Sequence, residues 1–112
     1  MEIRKWNVYL ADLNPRIGTE PGKTRPVVVV QTDLLNNHHS STIICPLTTQ
    51  IHPESNILRV HLSKGEVGLI EKSDIMVDQI RAIDNRRFLK RLGIIGRLSQ
   101  KKLAENIQII LN

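Results

Sequence analysis

Apolar and polar positions alternate in short runs through about residue 84, and the period then changes. In "WNVYLADL" (6–13), Val8 and Leu10 alternate with Tyr9 and Ala11, the period-two pattern of a half-buried strand. "NPRIGTEPGKTR" (14–25) follows, a loop with two Pro and two Gly. Loops of that length are uncommon in compact domains unless they carry function. In "PVVVVQT" (26–32), Val27 to Val30 are β-branched and stiff, which predicts a strand covered on both faces. "DLLNNHHSS" (33–41) reads as a turn region and "TIICPLTT" (42–49) as the next strand. Pro46 cannot donate to a ladder, so that strand is expected to bulge or end near it.

"NILRVHLS" (56–63) sets Ile57, Arg59 and His61 against Leu58, Val60 and Leu62. "GEVGLIEKS" (65–73) reads as a short strand after a turn. "DIMVDQIRAID" (74–84) alternates again, Ile75, Val77, Gln79 and Arg81 opposite Met76, Asp78, Ile80 and Ala82. Residues 85–93 then predict one short helix and 93–99 a last strand. Ser99 is the expected N-cap of a helix over 100–111, with Leu103, Ile107, Ile110 and Leu111 on the face that the sheet would cover. Five or more short strands and a terminal helix predict a small, mainly β, barrel-like domain.

Composition narrows the function. A chain of 112 residues fits a single domain over 1–112, and a small core gains from pairing with a second subunit. No apolar run approaches the ~20 residues of a membrane span, and "MEIRKWNVYL" lacks a signal peptide's apolar stretch, so the expectation is a cytoplasmic protein away from membranes. Lys and Arg number 16 against 11 acidic residues, a net charge of +5 that leans toward polyanionic partners. With only Trp6, Tyr9 and Phe88 as aromatics, extended stacking platforms of the RRM type are not expected, and hydrogen bonds and phosphate contacts would carry most nucleic-acid recognition. Cys45 sits alone in an apolar strand, as a small buried residue would. His38, His39, His52 and His61 lack zinc-like spacing, so no metal is expected, and "GTEPGK" lacks the pattern of a phosphate-binding P-loop.

Three places remain for chemistry. Arg25 precedes Pro26, which pushes its backbone toward extended geometry at the entrance of the valine strand. Its guanidinium could grip a phosphate through two parallel hydrogen bonds or form a surface ion pair with Glu20 or Asp78. Thr48 and Thr49 close "IICPLTT", where hydroxyls can hold phosphate oxygens or bond their own turn. In "DQIRAID" (78–84), Gln79 and Arg81 share a face if the segment is a strand; Gln79 could read a base edge and Arg81 could fix the sheet.

Taken together, these motifs resemble the MazF/PemK-type toxins, the mRNA interferases of bacterial toxin–antitoxin pairs. The resemblance rests on Asp12, Leu13, Pro15, Gly18, Glu20, Gly22, Arg25 and Pro26 in the first third. It continues through "NN" at 36–37, "PLTTQ" at 46–50, "VDQIRAID" at 77–84 and "RLGIIGRLS" before the last helix. It implies an SH3-like barrel with a C-terminal helix, shared with the CcdB-like plasmid-maintenance toxins, and a homodimer. It also implies metal-independent, cofactor-free cleavage of single-stranded RNA, and neutralisation by an antitoxin with an acidic, partly disordered tail. It assigns catalysis to Arg25 and Thr48. RNA contacts fall to Glu20, Asp78 and Gln79, with Asn36, Asn37, Thr49 and Arg81 added from their places in the motifs. Two departures stand out: Met76 occupies the position where some members carry a second arginine, and residues 14–25 contain no histidine. The pattern assigns no general base. A gyrase-directed toxin of the same fold and a non-catalytic nucleic-acid-binding barrel are the alternatives, since fold alone does not fix function.

Overall fold

A computed structural model describes residues 1–20 and 22–112. Its elements in chain order are β1 (Asn7–Asp12), β2 (Thr24–Val29), β3 (Ser41–Thr48), β4 (Arg59–Leu62), β5 (Ser73–Met76), β6 (Arg81–Asp84), β7 (Phe88–Ile94) and α1 (Arg97–Leu111). Every pairing is antiparallel. The strands follow the order β4-β5-β3-β2-β1-β7, with β6 on β3, and no pairing joins β4 to β7 among the described residues. The mainly β architecture with a C-terminal helix is the one the sequence predicts. No helix among the described residues is long and apolar enough to cross a membrane.

The central strands separate two apolar cores. Val8, Val28, Cys45 and Leu47 join one with Val60, Ile75, Ile95 and Leu103. Tyr9, Ala11, Val27, Val29 and Ile44 join the other with Ile3, Ile83 and Phe88. Neighbouring residues of β1, β2 and β3 thus point into different cores, which is the period-two geometry of a strand. The valine run is buried on both faces as expected. β1, expected to be half-buried, is buried on both faces too, with Val8, Tyr9 and Ala11 all inaccessible. A fully buried valine such as Val8 contributes about 1.5–3 kcal/mol by leaving water.

Several elements differ from the sequence expectation. β3 runs straight through Pro46. It pairs with β6 only through Ile44 and with β5 only from Leu47, while Val27 of β2 lies opposite Pro46. Ile43 directs its carbonyl to Val30 on the β2 side. Alternation therefore turns the proline nitrogen to the other side, where one ladder has ended and the next has not begun. The segment 74–84 is not one strand. A 3-10 turn at Val77–Gln79 separates β5 from β6, so Gln79 and Arg81 do not share a strand face. Residues 65–73 form a 3-10 turn at Glu66–Gly68 instead of a strand, and β4 is limited to Arg59–Leu62.

The predicted helix over 85–93 is a 3-10 turn, Asn85–Arg87, followed by β7. Pairing along β1, with two register shifts, and burial of Phe88 beside Tyr9 override the local helical propensity. α1 starts at Arg97 with Gly96 as its N-cap, so Ser99 lies inside the first turn. Glu66 supplies the capping oxygens from outside the helix: its Oε2 accepts from Gly96 N at 3.4 Å and from Ser99 Oγ at 3.0 Å. Leu103 is buried and Ile107 and Ile110 pack beside it, whereas Leu111 is 69% exposed. Asn106 takes the fourth place on the covered face and donates to Asn56 O at 3.1 Å.

Candidate active site

One end of the sheet holds a cavity of about 660 Å³, bounded by the 14–24 loop, the ends of β2 and β3, and residues 69–73. The loop is closed at its neck. Leu13 N donates to Lys23 O at 2.9 Å and Lys23 N to Asn14 Oδ1 at 2.7 Å. Arg87, from beyond β6, adds Nη1 bonds to Asp12 O and Asn14 O. Gly22 is required there by close approach, since a Cβ at that position would lie 2.6 Å from the Arg16 Cβ.

Arg25 lies inside β2, one residue past the strand's start, and pairs with Ala11 of β1. Its side chain is half-buried. Nε donates to Gly22 O at 3.1 Å and Nη1 to Leu47 O at 3.1 Å. No carboxylate pairs with it among the described residues, so the surface ion pair with Glu20 or Asp78 is not formed. Burial, and then the charge of Arg16, lower its pKa below the usual arginine value. Arg25 thus shares the cavity with two other cations, Arg16 and Lys23, and an anion among them would relieve both the desolvation and the repulsion.

Thr48 ends β3. The β2–β3 ladder reaches Val27 opposite Pro46, each two residues from Arg25 and Thr48 respectively. Thr48 is half-buried, lines the cavity, and its Oγ1 accepts from Gln50 N at 3.2 Å, which leaves the hydroxyl proton free to be donated. Thr48 thus bonds its own turn and still lines the cavity.

The cavity brings together Arg25, Thr48, Thr49 and Glu20. It does not include Asn36, Asp78, Gln79 or Arg81. Asn36 is buried and committed: Oδ1 accepts from Gln31 Nε2 at 2.9 Å, and Nδ2 donates to Gln31 O at 3.0 Å and Asp33 Oδ1 at 2.9 Å. Asn37 bonds both backbone groups of Ile3 at 2.8 Å. The pair of asparagines holds its own turn to the sheet. Asp78 is exposed and Gln79 half-buried on the 3-10 turn directly after Met76, which does line the cavity. Arg81 sits in β6 opposite Ile44, and its Nη1 is buried with no acceptor among the described residues.

Sequence reasoning missed Arg16, Lys23 and Gln50, which also line the cavity. Arg16 and Lys23 were legible only as charges in an unusually long loop. Cys45 is buried and its thiol is pushed up to about 12 by burial and then by Asp78, so it is no nucleophile. Among the described residues no three His, Cys, Asp or Glu side chains converge as a metal site would require.

Comparison with known proteins adds the following. A family profile described as "PemK-like, MazF-like toxin of type II toxin-antitoxin system" matches residues 4–111. The chain is 32% identical to "Endoribonuclease EndoA" of Bacillus subtilis over 111 residues, covering 99% of this chain and 96% of that one. It is 33% identical to "Endoribonuclease MazF" of Staphylococcus saprophyticus over 109 residues, covering 97% and 91%. The crystal structure of MazF from Deinococcus radiodurans superposes with a TM-score of 0.85 at 19% identity, covering 99% and 97% of the two chains.

Proposed function

The chain belongs to the PemK-like, MazF-like toxins of type II toxin–antitoxin systems, and from that membership we propose that it is an endoribonuclease whose reaction centre is the Arg25–Thr48 pair. Its substrate is single-stranded mRNA, cut at short sequences in the cytoplasm without a ribosome, a metal or a cofactor. The observation that carries this reading is the tethering of a half-buried, unpaired arginine to the strand that ends in Thr48, at the edge of a cavity that also holds Arg16 and Lys23.

RNA carries its own nucleophile. The 2′-oxygen attacks the adjacent phosphorus, the bond to the 5′-oxygen breaks, and the products are a 2′,3′-cyclic phosphate and a 5′-hydroxyl. Charge grows on the phosphoryl oxygens during that exchange. Arg25, with two of its five donors spent on carbonyls, aims the others at that charge. Those carbonyl bonds fix the guanidinium before substrate arrives, so little reorganisation opposes catalysis. The Thr48 hydroxyl donates to a phosphate oxygen or orients the 2′-OH. DNA lacks the 2′-OH and is not cut.

Glu20 and Thr49 contact RNA inside the cavity. A strand leaving past Met76 meets Asp78 and Gln79 on the turn that follows. The toxin is a homodimer. Exposed apolar side chains such as Ile43 leave surface for a second copy to cover. Its cognate antitoxin neutralises it by laying an acidic, partly disordered tail along the cationic cavity.

The test incubates the protein, with EDTA present, with mixed-sequence single-stranded RNA and its DNA counterpart, beside Arg25→Ala. Cleavage of RNA at one short motif, cyclic-phosphate ends, intact DNA and a rate about 10²–10³-fold lower for Arg25→Ala are expected. Folded, antitoxin-free protein that cuts no RNA, or an Arg25→Ala protein as fast as the parent, overturns the reading.

A further inference from the structure

Asp74 is a carboxylate placed inside an apolar strand. It is fully buried on β5, opposite Thr48 of β3 on one side and His61 of β4 on the other. A buried carboxylate is costly unless donors surround it. Here three do. Oδ2 accepts from His52 N at 2.9 Å and Arg59 Nη1 at 3.1 Å, and Oδ1 lies 2.6 Å from His61 Nδ1. A carboxylate only accepts, so that imidazole nitrogen carries its proton. Burial pushes the Asp74 pKa up, and the His52 amide, His61 and Arg59 together bring it below the usual carboxylate value.

One of those donors, His52 N, belongs to the turn after Thr48, and a second, Arg59, reaches that turn from β4. Arg59 Nη1 also donates to Gln50 O at 2.8 Å. The carboxylate therefore holds Gln50 through Arg59 and His52 directly. Gln50 N in turn donates to Thr48 Oγ1 at 3.2 Å. Asp74 does not line the cavity, whereas Thr48, Thr49 and Gln50 do. The whole turn hangs on one buried charge lying behind the cavity wall.

We propose that Asp74 is a positioning residue for RNA cleavage: through Arg59 and the His52 amide it sets the 49–52 turn, and through Gln50 the direction of the Thr48 hydroxyl. This rests on Thr48 acting in the reaction as proposed above. Misplacing a reacting group by about 1 Å costs on the order of 10²-fold, so a buried clamp can matter as much as a group in the cavity.

The test measures single-turnover cleavage of a mixed-sequence single-stranded RNA by Asp74→Ala, Asp74→Asn and Arg59→Met, in the parent and in Thr48→Ala, at a temperature where melting curves show each protein folded. In the parent background Asp74→Ala and Arg59→Met lower the cleavage rate about 10–100-fold, with half-saturation by RNA changed less than about threefold. Asp74→Asn keeps an acceptor for His52 and Arg59 and recovers most of the rate. In Thr48→Ala the same changes cost less than about twofold, because nothing is left to position. Equal losses in both backgrounds overturn the positioning role alone. A Thr48→Ala protein as fast as the parent instead overturns the assignment of Thr48. As a second measurement, the Gln50 amide resonance moves in Arg59→Met while β1 amides stay; an unmoved Gln50 signal also overturns the positioning role.

Discussion

The guanidinium of Arg25, on β2, donates at 3.1 Å to Leu47 O, the carbonyl next to Thr48 at the end of β3. That bond joins the two residues across the neighbouring strands. Gly22 O, in the 14–24 loop, is the second tether, accepting from Arg25 Nε at 3.1 Å.

Thr48 can be tested by chemistry at constant shape. Thr48→Ser keeps the oxygen that accepts from Gln50 N and the proton that faces the cavity. It is expected to cleave RNA within about threefold of the parent, whereas the near-isosteric Thr48→Val loses about 10²-fold, the scale of removing one preorganised donor. Single-turnover rates check both. Equal activity of Ser and Val variants would remove the hydroxyl from the reaction.

Asn36 is expected to matter for folding and not for the RNA sequence that is cut. Its amide satisfies Gln31 and Asp33. Asn36→Ala strands buried partners and should cost about 1–3 kcal/mol in denaturant unfolding. Its cleavage sites, mapped on a diverse RNA pool, should match the parent's. A shifted cleavage motif would return Asn36 to the RNA-reading surface.

Cys45 should be inert in the native state. With its thiol pushed up to about 12 and no solvent access, a thiol-reactive dye at pH 8 modifies it only as the protein unfolds. Cys45→Ser buries a hydroxyl in the core shared by Val28 and Leu47 and is expected to destabilise by about 1–3 kcal/mol. Rapid labelling of folded protein would contradict the packing.

Acid should act through Asp74. Its folded pKa lies below that of a free aspartate, about 3.9, so its contribution is complete above that value and is lost as pH falls through the folded value. Unfolding midpoints from pH 7 to pH 3 should therefore decline less steeply below about pH 4 in Asp74→Asn than in the parent. Parallel declines would show that other carboxylates carry the acid sensitivity.

The strands that sequence alone located are those whose apolar residues form a short alternating or continuous run: β1, the valines of β2, β3 and, inside 56–63, β4. Residues 74–84 misled because Val77 is buried like a strand residue while its backbone turns. β7 was hidden because its pairing partner, β1, lies some eighty residues earlier in the chain, and local propensity carries no trace of that distance. Arg25 and Thr48 were legible as candidates because Arg25 precedes Pro26 at a strand entrance and Thr48 closes an apolar run, and the family resemblance supplied their proposed roles. Arg16, Lys23 and Gln50 were not, since only the folded loops bring them to one cavity. Asp74 left a signal that could have been used. Arg59 and His61 stand two residues apart on one strand face, an arrangement that invites a carboxylate on the neighbouring strand.

The pinched neck at Leu13, Asn14 and Lys23 carries a consequence for descent. Arg25 lies outside the neck, on the sheet, and the remainder of the loop lies beyond it. New residues in the part of that loop before Gly22, whose carbonyl holds Arg25 Nε, can accumulate without displacing the guanidinium. On the function proposed above, recognition and cutting then become separately heritable traits. A lineage could acquire a new target sequence from one short stretch of gene and keep its reaction centre intact throughout.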